Sequence, residues 1–74
     1  MLLKLYLVNK HTVKVNGHNT SVFIEAEFWQ ELKLISKKEA KSLTAIISNI
    51  DKNKKTQNLS SAIRLYILNH LKNN

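Results

Sequence analysis

The sequence contains no cysteine, no proline and a single glycine in 74 residues. Without cysteine there is no disulfide framework and no thiolate zinc site, which fits a reducing compartment. With Gly17 alone, no glycine-rich loop is available to cradle a nucleotide. Acidic residues are scarce, five against twelve lysines and arginines. Four of them, Glu25, Glu27, Glu31 and Glu39, are scattered along one stretch. No nucleophile–base pairing accompanies them, so no catalytic residues are expected and the chain does not read as an enzyme. His11, His18 and His70 are spaced like no helical ligand pair, with no clustered carboxylate beside them, so neither a metal nor another cofactor is expected. Long apolar runs are also missing. The opening Met1-Leu2-Leu3-Lys4-Leu5-Tyr6-Leu7-Val8 is interrupted by Lys4, is much too short to span a bilayer, and is followed by no small-residue cleavage site. The expectation is a cytoplasmic protein with no membrane partner, in which residues 1–10 form an N-terminal arm or an extra strand.

What the sequence does have is positive charge. Its net charge is +7, and the charge is unevenly placed. Residues 1–24 carry Lys4, Lys10 and Lys14 and no acid. Residues 25–39 set four glutamates against three lysines. Residues 40–74 carry five lysines and Arg64 against Asp51. Such a balance points to a polyanion, nucleic acid or an anionic membrane; the plain alternative is a lysine-rich solvated surface. A chain this short builds a core worth only about 3–5 kcal/mol without staples. With 43% hydrophobic residues and no cysteine, oligomerisation is the remaining staple.

Residues 11–74 read as one domain. His11-Thr12-Val13-Lys14-Val15 alternates, and Asn16-Gly17 suits a type I′ turn, in which both positions take positive φ. A hairpin there pairs Val15 with His18, Val13 with Thr20 and His11 with Val22 on one face. Thr12, Lys14, Asn19 and Ser21 lie on the other. A strand over about residues 18–25 runs directly into a helix over about 26–39, with Phe28, Leu32 and Ile35 at helical spacing. Glu25 and Glu27 at its start and Lys37 and Lys38 near its end suit the helix dipole. Ser42 is an N-cap candidate for a second helix over about 42–51, with Leu43, Ile46, Ile47 and Ile50 as its stripe. Asp51 to Gln57 reads as a polar loop. Asn58 opens a third helix, about 58–72, that is apolar around too much of its surface for a small monomer. The fold class is α+β, mainly α.

Three motifs carry a family resemblance: Gly17-His18-Asn19-Thr20-Ser21; Glu25 with Glu27-Phe28-Trp29; and Asn58-Leu59-Ser60-Ser61-Ala62-Ile63-Arg64. In this order the chain resembles the ribbon-helix-helix DNA-binding superfamily, in particular the short bacterial proteins of the domain 4 type, over about residues 10–72. The resemblance implies an intertwined homodimer in which each chain's strand pairs antiparallel with its symmetry mate. The ribbon so formed enters the major groove of double-stranded DNA. Asn19 stands where an arginine is common and Phe23 where a small polar residue is common. Ala26 replaces a frequent proline, and Ala40 a glycine often found in the interhelical turn. If that turn is left-handed, Ala40 costs about 1–2 kcal/mol. A hairpin that also pairs with its mate would give a four-stranded sheet, broad for a major groove. Either the upstream strand peels away or docking departs from the common mode.

On this reading Asn19, Ser21 and Phe23 are the candidate base contacts, since Asn bonds adenine, Ser several bases, and Phe a thymine methyl. The alternative is an ordinary solvent-facing strand. Lys14, Lys41, Ser42 and the amides of Leu43 and Thr44 are candidate phosphate contacts, because a helix start holds anions; simple capping is the alternative for Ser42. Val22, Ile24, Phe28, Trp29, Ile46, Ile63 and Tyr66 are the candidate dimer core. Arg64 is read as structural, paired with a glutamate across the dimer, with a phosphate contact as the alternative. The expected function is a sequence-specific DNA-binding transcriptional regulator. One rival is the antitoxin of a toxin–antitoxin pair, disfavoured because only Asn73 and Asn74 follow Lys72. Others are an oligomerisation or adaptor module without DNA binding, and a membrane-surface protein using residues 1–8 and the lysines.

Overall fold

The structure, a computed structural model, describes residues 8–73. The expected N-terminal arm or strand therefore lies outside the described residues for positions 1–7. Positions 8–10 belong to the first strand. The order is β1 (Val8–Val15), β2 (His18–Glu25), α1 (Ala26–Glu39), α2 (Leu43–Asn53) and α3 (Leu59–Lys72). This is an antiparallel hairpin followed by three helices.

The hairpin forms where its turn chemistry allows it. Asn16 and Gly17 take φ values of 52° and 83°, the pair of positive angles a type I′ turn requires. The register then follows: Val15 faces His18, Val13 faces Thr20, His11 faces Val22 and Lys10 faces Phe23. Side chains alternate across the sheet. Val15, Val22 and Ile24 are buried with Val13 packed against them, whereas Lys10, Thr12, Lys14, Asn19, Ser21 and Phe23 are exposed.

The helices close over the inner face. Leu32 and Ile35 of α1, Ile46, Ile47 and Ile50 of α2, and Ala62, Ile63 and Ile67 of α3 complete one core with the strand residues. Phe28, Trp29, Leu43, Leu59 and Tyr66 pack partly buried around it. The seven residues expected at a dimer core thus all pack within the single chain. His11 lies flat on Trp29, ring centroids 3.8 Å apart and planes 9° from parallel, joining β1 to α1.

The starts of α2 and α3 and the ends of α1 and α2 have a chemical reason. Ser42 accepts from the Ala45 amide at 3.0 Å and Asn58 from the Ser61 amide at 3.1 Å, so both are side-chain N-caps. α1 stops at Ala40, whose φ of 56° is left-handed. The Ala40 amide bonds back to Lys37 and the Lys41 amide to Ser36. The chain thus uses the left-handed turn with alanine in place of glycine. α2 runs two residues beyond its expected end, to Asn53, whose side-chain amide donates to the Asn49 carbonyl at 3.0 Å.

Candidate nucleic-acid interface

The outward face of the hairpin is the most polar, cation-bearing surface the strands present. Along it lie Lys10, Thr12 and Lys14 from β1 and Asn19, Ser21 and Phe23 from β2, all exposed. Of the candidate base contacts, Asn19 and Ser21 are free of side-chain hydrogen bonds to the described residues. Phe23 is 50% exposed, a large apolar surface at the far end of the same face.

Phe23 also marks where β2 meets α3. Its amide donates to Ser60 Oγ at 3.1 Å, and its carbonyl accepts from an Arg64 terminal nitrogen at 3.0 Å. Arg64 Nε donates to Glu25 Oε1 at 2.8 Å. The glutamate paired with Arg64 is therefore Glu25 of its own chain, not the expected one across the dimer. That hydrogen bond is the main reason the Glu25 carboxyl is held below the usual carboxylate range, with a backbone hydrogen bond adding to it and burial opposing it. A cleft of about 660 Å³ runs between this edge and the start of α3, lined by Ser21, Phe23, Asn58, Ser60 and Arg64 among others.

The second candidate element is the start of α2. Lys41, Ser42 and Thr44 are exposed and Leu43 is half-buried. The Ser42 hydroxyl already caps Ala45, which leaves the amides of Leu43 and Thr44 among the unpaired N–H groups of a helix start. The hairpin turn sits at the opposite end of this helix, where the Asn16 side chain donates to Asp51 at 3.5 Å. The structure therefore brings the base-contact candidates together on one face. It places the phosphate candidates of α2 at a separate site, with Lys14 alone joining the strand residues.

Sequence reasoning passed over Ser60 as a partner of the strand edge. The only signal was its place in the Asn58–Arg64 motif, four residues before the arginine, which puts both on one side of α3. Among the described residues no group of three His, Cys, Asp or Glu side chains is placed to hold a metal. No described helix is long and apolar enough to cross a membrane.

No curated protein and no solved structure matches the chain. A family model described as a ribbon-helix-helix domain matches residues 8–71, a span that takes in both strands and nearly all of the three helices. The hairpin, the capped helix starts and the Glu25–Arg64 tie all fall inside that span, and the chain belongs to the ribbon-helix-helix domain family, in general one of non-enzymatic DNA-binding regulators.

Proposed function

We propose that the chain is a sequence-specific double-stranded DNA-binding protein, acting as a homodimeric transcriptional regulator in the bacterial cytoplasm. The observation that carries this reading is the division of β2 into two faces. Val22 and Ile24 are wholly buried, while Asn19, Ser21 and Phe23 stand exposed on the opposite side. A ribbon of this kind enters the major groove with its outer face toward the base edges. Asn19 and Ser21 hydrogen-bond bases there, and Phe23 contacts a thymine methyl. Lys14, Lys41, Ser42 and the amides of Leu43 and Thr44 hold phosphates. The net charge of +7 supplies non-specific affinity that falls steeply with salt. Leu34, Leu65, Leu68 and Leu71 are all about half exposed in the single chain, which supports burial against a second copy.

The test is selection of bound sequences from a random duplex library at modest salt, run on wild type and on Ser21→Ala. Wild type enriches a defined sequence, and Ser21→Ala loses or alters it. Failure of wild type to enrich any sequence would sink the reading. An antitoxin role rests on the same fold; co-purification with a second, toxic chain is the result that would favour it.

A further inference from the structure

We propose that the end of α2 and the loop after it form a second phosphate-binding surface, in which Lys52 and Lys55 hold the duplex backbone. The proposal rests on the DNA-binding reading above and adds to it a surface distinct from the start of α2.

The first support is position. The loop over 54–58 joins α2 to α3, and the segment that contains it is tied to the hairpin at both ends. At its start the Asn16 side chain in the hairpin turn donates to Asp51 at 3.5 Å, and α2 packs against β1. At its far end Gln57 and Asn58 share a cleft with Thr20, Ser21 and Phe23. Just beyond, Ser60 Oγ accepts from the Phe23 amide at 3.1 Å. The segment therefore borders the hairpin from its turn to the exposed Ser21 and Phe23. Lys52, Lys54 and Lys55 lie between the two anchors.

The second support is charge. Asp51 is the only acid in residues 40–74. Lys54 Nζ pairs with Asp51 Oδ1 at 2.6 Å and donates to the Asp51 carbonyl at 3.3 Å. Lys54 is thus engaged within the segment, and the one nearby acid in the sequence is neutralised. Lys52 and Lys55 remain, both exposed and neither bonded to a described residue. Lys14, two residues before the turn and also exposed, continues the positive charge onto the hairpin.

The third support is the chemistry of the partner. A lysine ammonium is a hydrated point charge on a flexible stem. It suits a phosphate, whose contact positions the protein without reading sequence. A second copy of the chain suits this surface poorly, because lysine is depleted from protein–protein contacts and like charges brought together repel. Lys52 lies in the last turn of α2 and also complements the helix dipole. Lys55 lies past the helix end, so the dipole gives no account of it.

The experiment titrates the full chain with a duplex of mixed sequence over a salt series, read by fluorescence anisotropy. It compares wild type, Lys55→Gln, and Lys52→Gln with Lys55→Gln. A control, Lys33→Gln with Lys37→Gln, removes two exposed charges from α1 instead. Each lost phosphate contact lowers the slope of log affinity against log salt by about 0.9. A homodimer carries the surface twice, so Lys55→Gln is expected to lower the slope by about 1.8 and the loop double variant by about 3.6. The control is expected to keep a slope near wild type. Thermal melting checks folding, and Lys55→Gln, which leaves the helix dipole untouched, carries the test if the double variant is unstable. Loop and control variants that shift the slope equally would mean that net charge acts, not contact. Unchanged slopes in the loop variants would mean that these lysines touch no phosphate. Either result overturns the proposal and leaves DNA binding standing. Loop variants that lose binding to anionic phospholipid vesicles but keep the wild-type duplex slope would assign the surface to a membrane and overturn it as well. If wild type binds no duplex, the DNA-binding reading fails and this proposal fails with it.

Discussion

At the scale of single residues, Ala40 carries a backbone strain and Glu25 an ion pair that shifts its carboxyl. Ala40 sits at φ 56°, where a Cβ costs about 1–2 kcal/mol. Ala40→Gly relieves it, less about 0.4–1 kcal/mol of extra freedom in the unfolded chain. A net gain of about 0.5–1 kcal/mol is expected in urea unfolding, and no gain would mean the turn carries no strain. Glu25 is the residue with the clearest pH consequence. Its carboxyl is held below the usual range by Arg64, so its contribution is present above the unfolded value and is lost as pH falls through the folded one. Wild type should therefore lose stability on acidification more steeply than Glu25→Gln, read from melting temperature between neutral and acid pH. Parallel curves for the two proteins would contradict this. Both residues were legible in the sequence to different degrees. The glycine-for-alanine question at Ala40 came from the family resemblance, in which the interhelical turn often has glycine. The Glu25–Arg64 pairing spans 39 positions, and no local pattern reports so distant a contact; only the family motif singled Arg64 out.

At the scale of elements, the start of α2 has two separable duties. Ser42 caps the helix, and the same turn is proposed to hold a phosphate. Ser42→Ala removes the cap and should cost about 1 kcal/mol. Ser42→Asp keeps a capping oxygen but adds a negative charge. It should retain stability while weakening binding to any duplex, measured by fluorescence anisotropy. Unchanged affinity in Ser42→Asp would remove this helix start from the interface. The elements themselves were readable because each has a short-range cause. Asn16-Gly17 demands its turn, alternation orients the strands, and Ser42 and Asn58 announce their helices. The end of α2 was less readable. Asp51-Lys52-Asn53 is polar throughout, and only the return bond from Asn53 to Asn49 shows that the helix continues. The joining of β2 to α3 through Ser60 was hidden for the same reason as the Arg64 pair: it depends on packing, which sequence spacing does not encode.

At the scale of the whole molecule, the core is small and dominated by isoleucine. Ile24, Ile47, Ile63 and Ile67 are wholly buried, and all four belong to the single cluster. Ile47→Ala should cost about 2–5 kcal/mol, a large share of what a chain this short holds, and is expected to leave it largely unfolded by circular dichroism at room temperature. A fully folded variant would show that the core is not the limiting element. Because half-exposed leucines remain on α1 and α3, the proposed homodimer should make the melting temperature rise with protein concentration. Concentration-independent melting together with a monomeric mass would exclude it. The bonds from Ser60 and Arg64 to Phe23 have a further consequence, for solubility. An open strand edge is a template for indiscriminate sheet growth, and these bonds occupy that edge where its largest exposed apolar side chain sits. A chain with Arg64→Ala and Ser60→Ala together should form thioflavin-positive aggregates on storage sooner than wild type; equal lag times would show that these bonds do not guard the edge against fibril formation.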